Sequence, residues 1–372
     1  MRDYNGVMSP SALRREIGQM LIAGFNGLQV PPELKALARE FGLGGVILFA
    51  RNIAEPGQVA ELSYEASQLT PEAPLWISVD QEGGRVARLK SPFTEWPPMA
   101  TLGRSGDTGL AERFARAMAA ELKAVGVTLD YAPVLDVHTN PKNPVIGDRA
   151  LGEDAADVAR LGAAIVRTLQ REGIAACGKH FPGHGDTSTD SHLELPLVEH
   201  PVERLRDVEF LPFKAAIEAN VAAIMTAHVF MPAIDEKRPA TLSEKVVTGL
   251  LRDELGYQGV ILSDDLEMKA VADQYPVPAA AVLAVEAGCD GVLICSGDYD
   301  TQAAAVEAIV HAVESGRLRM ARVEDALKRH QRAKERFLAT PVAARPLDGR
   351  HLRQLLGREE HQAIADEMAR FL

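Results

Sequence analysis

The chain has 372 residues, 47% hydrophobic and 5% aromatic, with a formal net charge of −12. That is ample apolar material for a large core, and α/β barrels reach this length as one domain. The acidic balance speaks against a nucleic-acid or anionic-membrane partner. No run approaches the length needed to span a bilayer, and residues 1–10 lack the apolar centre of a signal peptide. No stable membrane association is therefore expected, and cytoplasmic residence follows. Cys177, Cys289 and Cys295 all lie in or beside apolar segments. They read as reduced core thiols in preference to a Cys289–Cys295 bridge.

Short apolar runs predict strands at residues 20–25, 45–49, 75–80, 128–137, 175–180, 223–228, 260–264 and 291–295. Amphipathic stretches at 109–125, 154–172, 202–219, 243–255 and 278–287 predict intervening helices, with a last barrel helix within 320–338. Continuous apolar strands alternating with helices imply parallel strands buried on both faces. The expected fold is a (β/α)8 TIM-type barrel over residues 1–340. Residues 341–346 read as a linker, and residues 351–372 as one or two extra helices packed outside the barrel or against a partner. A monomer or weak homodimer is expected. The competing fold, an open doubly wound sheet, lacks its usual Gly-x-Gly-x-x-Gly mark after the first strand. Gly83-Gly84 follows a strand, but Asp80 and Glu82 beside it would repel a pyrophosphate. The pair reads as a tight turn around a neutral ligand.

Barrel enzymes carry their chemistry at the C-terminal ends of strands. The polar residues there are Asp80 and Glu82, Asp136 and His138, Lys179 and His180, His228, and Asp264 and Asp265, with Arg149 in a loop able to fold over the mouth. Asp264 and Asp265 point in opposite directions if the strand persists. One then faces the substrate, while its neighbour caps a helix or takes a structural hydrogen bond. A nucleophilic Asp264 must stay ionised, which nearby cations and backbone donors favour.

The densest polar cluster runs from Lys179 to His192, with three histidines and two further carboxylates, Asp186 and Asp190. Asp190 stands two residues before His192, close enough to orient the imidazole and raise its basicity. Such a dyad can give a proton near neutral pH and take one back. Gly183, Gly185 and Ser191 would let the loop move over a ligand. His180, His184, Asp186, Asp190 and His192 also admit a divalent-metal reading, which Lys179, Pro182 and the glycines disfavour. No cofactor and no metal are expected. His138 and His228 either line the pocket or satisfy core polar groups, whereas His200, His311, His330, His351 and His361 read as solvent-facing.

Together Val79–Val86, Tyr131–Val137, Gly147–Arg149, Lys179–His192 and Ser263–Met268 resemble glycoside hydrolase family 3, in its β-N-acetylhexosaminidase branch. The resemblance implies Asp264 as nucleophile and His192, supported by Asp190, as acid/base. It also implies Asp80, Arg149, Lys179 and His180 as ligands of an N-acetylglucosamine unit. The implied reaction is retaining hydrolysis of terminal β-1,4-linked N-acetylglucosamine from peptidoglycan-derived muropeptides. Alternatives are a β-glucosidase or β-xylosidase of the family, a phosphorylase using inorganic phosphate, and a sugar-binding barrel without turnover.

Overall fold

The computed structural model describes residues 9–191, 193–339, 346–347 and 349–372. Eight parallel strands close into a barrel. We label them β1 (Leu21–Ala23), β2 (Gly45–Leu48), β3 (Trp76–Val79), β4 (Leu129–Asp130), β5 (Ala175–Phe181), β6 (Ala223–Thr226), β7 (Val260–Asp265) and β8 (Gly291–Ile294). Each pairs with its sequence neighbour, and β8 closes on β1 with Leu21 opposite Val292. All eight coincide with runs expected from the sequence. The fourth is shorter than expected: regular pairing ends at Asp130, and Pro133 has no N–H to donate. Beyond it the contact continues as the bonds Cys177 N to Ala132 O and Lys179 N to Pro133 O and an isolated bridge from Val134 to Lys179.

Period-two alternation sorts the strand residues between two cores. Ile22, Ile47, Trp76, Leu129, Tyr131, Ala175, Cys177, Ala223, Met225, Val260, Leu262 and Leu293 fill the barrel interior. Their neighbours, including Leu21, Val46, Ile77, Ile224, Ile261 and Val292, pack outward against the helices. Continuing the inward set one step further decides where the site lies. Val260 and Leu262 lead to Asp264, Ala175 and Cys177 lead to Lys179, and Trp76 and Ser78 lead to Asp80. The same alternation that builds the core delivers charge to the mouth.

Helices Thr108–Ala124 and Ala155–Arg171 begin on Asp107 and Asp154, whose carboxylates accept from Gly109 N and from Ala156 N and Asp157 N. Each such cap contributes about 1 kcal/mol. The stretch expected as one helix over 202–219 is two, Val202–Asp207 and Phe210–Glu218. The stretch expected over 243–255 forms the wider-wound π-helix Lys245–Glu254. Beyond the barrel, helices Gly349–Leu355 and Glu359–Ala369 lie against Thr108–Ala124. Leu352, Ala365 and Met368 join the outer core there. Glu121 fixes the contact, accepting from Thr94 N and Oγ1, Gly357 N and His361 Nδ1 at 2.7–2.9 Å. Most of the expected linker at 341–346 lies outside the described residues.

Two of the histidines read as solvent-facing are buried. His361 serves Glu121, and His330 bonds the Asp290 carbonyl. The signal for His330 was its spacing: Val323, Ala326, His330 and Lys334 recur at three and four residues on one buried helix face. All three cysteines are buried and free, as expected. Among the described residues no helix is long and apolar enough to cross a membrane.

Candidate active site

A cavity of about 380 Å³ opens at the C-terminal ends of the strands and is lined by Asp80, Arg149, Lys179, His180 and Asp264. Five of the seven residues singled out as site residues therefore face one space. Asp190 does not line it, and His192 lies outside the described residues.

Lys179 Nζ stands 2.6 Å from both Asp80 Oδ1 and Glu82 Oε1. Arg149 grips Glu82 with two parallel bonds, Nε to Oε2 and Nη2 to Oε1, each 2.9 Å. Glu82 is 1% exposed at its side chain. Burial alone would raise its carboxyl, yet Lys179 and Arg149 together hold it well below the usual carboxylate range. Lys179 is likewise kept cationic: burial opposes its charge, and Asp80 and Glu82 outweigh burial. Glu82 thus fixes two cations with one buried anion, and Asp80 is left with Lys179 on one oxygen and Arg88 on the other at 3.4 Å.

His180 is oriented from behind. Asp136 Oδ2 lies 2.7 Å from His180 Nδ1, while Asp136 Oδ1 accepts from His184 N at 2.7 Å. His184 is buried, and burial and the neighbouring His180 lower its pKa to about 4, so it is neutral. Its tautomer follows from its partners. Thr187 Oγ1 donates to the His184 carbonyl, hence accepts from Nδ1–H at 2.7 Å, leaving Nε2 to accept from the Ser191 hydroxyl at 3.0 Å. The Ser191 carbonyl also accepts from Ala270 N. The residue just before His192 is therefore pinned through both side chain and backbone.

The glycines of this loop also have a packing role. An added Cβ at Gly185 would meet the Val137 carbonyl at 1.9 Å, and one at Gly183, at φ 129°, would meet the Glu209 side chain at 2.7 Å. Gly185 thus admits a close backbone approach, and Gly183 a left-handed turn against a side chain. Gly83 and Gly84, at φ 108° and 56°, do form the expected tight turn, in the small hairpin Gln81–Gly83 and Val86–Ala87.

Asp264 and Asp265 both border the cavity but differ in their partners and charge. Burial pushes the Asp264 carboxyl up, but His228, His180, the Asp265 N–H and Lys179 outweigh it and hold it below the usual range. Asp265 Oδ1 accepts from Glu267 N at 3.1 Å and Cys295 N at 3.3 Å, a structural role. Burial first, then the charges of Glu267 and Asp264, raise its pKa to about 7. Neighbouring carboxyls are thus held apart, one kept anionic and the other titrating near neutral pH. A carboxyl raised on folding stabilises fully below its unfolded value, about 3.9, and loses that contribution as pH rises through about 7. Asp265→Asn keeps an acceptor for both N–H groups. We expect wild-type melting temperature to fall relative to this variant between about pH 4 and about pH 7, the range set by that shift, and to level off above it. Parallel curves would refute the assignment.

Sequence reading missed Arg88, which lines the cavity beside Asp80. It stands just past the short hairpin strand Val86–Ala87, where its guanidinium reaches back to Asp80. Glu82 and Asp136 stand at strand ends with no role legible in the sequence, because their partners come from other strands and loops. His228 resolves as a core histidine, its ring held by Thr241 Oγ1 at 2.8 Å and the Asp265 carbonyl at 2.9 Å. His180 spends Nδ1 on Asp136, His184 spends both ring nitrogens on Thr187 and Ser191, and Asp186 accepts from Thr139 Oγ1 and faces His200.

Fold and site together define a (β/α)8 barrel of the enzymatic kind, its ionised groups gathered at the C-terminal mouth. The chain belongs to glycosyl hydrolase family 3: residues 12–333 match the model of the glycosyl hydrolase family 3 N terminal domain. It is 43% identical over 260 residues to a β-hexosaminidase of Nitrosomonas eutropha, covering 68% of this chain and 74% of that one. It is 39% identical over 286 residues to β-hexosaminidase A of Pseudoalteromonas piscicida, covering 71% of this chain but 48%, about half, of that longer protein. A family 3 β-N-acetylglucosaminidase from Paenibacillus sp. superposes with a TM-score of 0.92 at 45% identity, over 96% of this chain and 68% of the other.

Proposed function

We propose that this chain is a retaining β-N-acetylglucosaminidase. In this reading it removes terminal β-1,4-linked N-acetylglucosamine from peptidoglycan-derived muropeptides in the cytoplasm. The observation that carries the reading is an anionic Asp264 on the inward face of β7, opening into a cavity that also holds Lys179, Arg149, His180 and Asp80. The names of the relatives support the same sugar.

The chemistry runs in two displacements. A carboxylate oxygen of Asp264 attacks the anomeric carbon as the glycosidic oxygen leaves with a proton from His192. Water then attacks the same carbon, neutral His192 takes its proton, and Asp264 is released with net retention. Asp190 orients His192 and supports its protonated form. Asp80, Lys179, Arg149 and His180 hold the sugar's hydroxyls and acetamido group, their geometry fixed in advance by Glu82 and Asp136.

Hydrolysis of a chromogenic β-N-acetylglucosaminide should far exceed that of the matching β-glucoside, and equal turnover would reject the sugar assignment. His192→Ala should slow substrates with poor leaving groups by roughly 10²- to 10⁴-fold, and activated phenolates much less. An equal loss for both would show that His192 does not transfer the proton. Product measured with and without inorganic phosphate, as sugar 1-phosphate against free sugar, separates phosphorolysis from hydrolysis.

A further inference from the structure

A second concavity of about 400 Å³ lies far from the mouth chemistry, between the helix Met320–Phe337 and the loops at 217–222 and 256–259. Arg329, Arg332 and Arg336 line it, at spacings of three and four that put them on one helix face. Among the described residues no carboxylate lines it. In a chain of net charge −12, that concentration of guanidinium groups calls for a physical reason.

Two structural reasons can be weighed. The C-terminal end of a helix dipole favours cations, but the effect is confined to the last turn. It covers Arg336 and not Arg329, two turns earlier. Ion pairing is the other. Asp290, fully buried, is the carboxylate that Arg329 approaches, and it already serves Arg252 and, at 2.7 Å, Arg322. Arg329 reaches it only at 3.4 Å, and Arg329 Nε is buried without an acceptor among the described residues. Arg332 spends its Nε on the Lys328 carbonyl and Arg336 one Nη1 on the Asn220 carbonyl. Both bonds position a guanidinium without neutralising it. Like charges on one helix face are destabilising, and Asp290 is already divided among three arginines, Arg252, Arg322 and Arg329.

We propose that this groove binds a small soluble molecule through a phosphate group. Guanidinium forks match phosphate oxygens bidentately. The Asn220 amide and the ring of Phe337, over which Arg336 already lies at 4.7 Å, complete a wall suited to a phosphate ester. A nucleic-acid backbone would need an extended basic stripe, which the overall charge opposes. The proposal is independent of the sugar chemistry at the mouth.

The test titrates the full chain with sodium pyrophosphate and, separately, with inorganic phosphate, by calorimetry at fixed ionic strength set with sodium chloride. Saturable binding is expected, weakening as salt rises. Arg332 and Arg336 are exposed, so R332Q/R336Q should fold, which circular dichroism checks. That variant should bind at least about tenfold more weakly. Binding absent from the wild type, or unchanged in the folded variant, overturns the proposal. Should the double variant misfold, R332Q alone, with a smaller but definite loss, decides in the same way.

Discussion

Asp264→Asn should abolish turnover while leaving the fold untouched. We expect kcat to fall by roughly four to six orders of magnitude, equivalent to about 5–8 kcal/mol in the barrier. An amide is nearly the same size as the carboxylate and keeps an oxygen to accept from Asp265 N, the bond that spans 2.8 Å in the wild type. What it lacks is the charge that His228, His180 and Lys179 hold in place, and the nucleophilicity that goes with it. Melting temperature should therefore change little. Two readouts separate this mechanism from attack by the substrate's own acetamido oxygen. A 5-fluoro or 2-deoxy-2-fluoro glycosyl donor should label the wild type on the peptide containing Ser263, Asp264 and Asp265, and should not label the variant. A loss of only tenfold, or a label mapped elsewhere, would remove Asp264 from the nucleophile's role.

The placing of Asp264 was legible because strand alternation is a local rule that tertiary structure rarely overrides. Val260, Leu262 and Asp264 share a face whatever the rest of the chain does. The same holds for Lys179 and Asp80, and for the eight apolar runs that became the barrel. Legibility failed where the deciding partner is distant. Glu82 is only two residues from Asp80, but its purpose lies in Lys179 and Arg149, about a hundred and about seventy positions away. Asp136 was visible as a strand-end carboxylate, yet nothing local ties it to the ring of His180 and the N–H of His184. The packing role of Gly185 was hidden for a related reason: the Val137 carbonyl that presses on it lies nearly fifty residues away in sequence. The split of the stretch at 202–219 was signalled only faintly, because amphipathic spacing continues through the break.

These long-range ion pairs lead to the second large effect, at Glu82. Removing one partner from a buried ion pair leaves the other charge desolvated, which costs about 3–5 kcal/mol. Here one carboxylate serves two cations, so Glu82→Ala should destabilise the chain by at least that order. It should also weaken sugar binding, because the groups it frees line the cavity. Arg149 would retain the Val145 carbonyl at 3.2 Å, and Lys179 would retain Asp80. Glu82→Gln keeps the shape and an acceptor for each cation but not the charge, and should fall between wild type and alanine in urea melts. The pH dependence follows from the direction of the shift. A carboxyl depressed on folding contributes its stability above the unfolded value, about 4.3, and loses it as pH falls towards the lower folded value. The stability gap between wild type and Glu82→Gln should therefore be full at neutral pH and shrink in acid. A gap that stayed constant down to about pH 3 would mean that Glu82 carries no shifted ionisation. A rise in KM for either variant much larger than its fall in kcat would show that the network's work is to hold the sugar's ligands in place. The reverse split would mean that the charge of Lys179 and Arg149 acts on the developing oxocarbenium transition state itself.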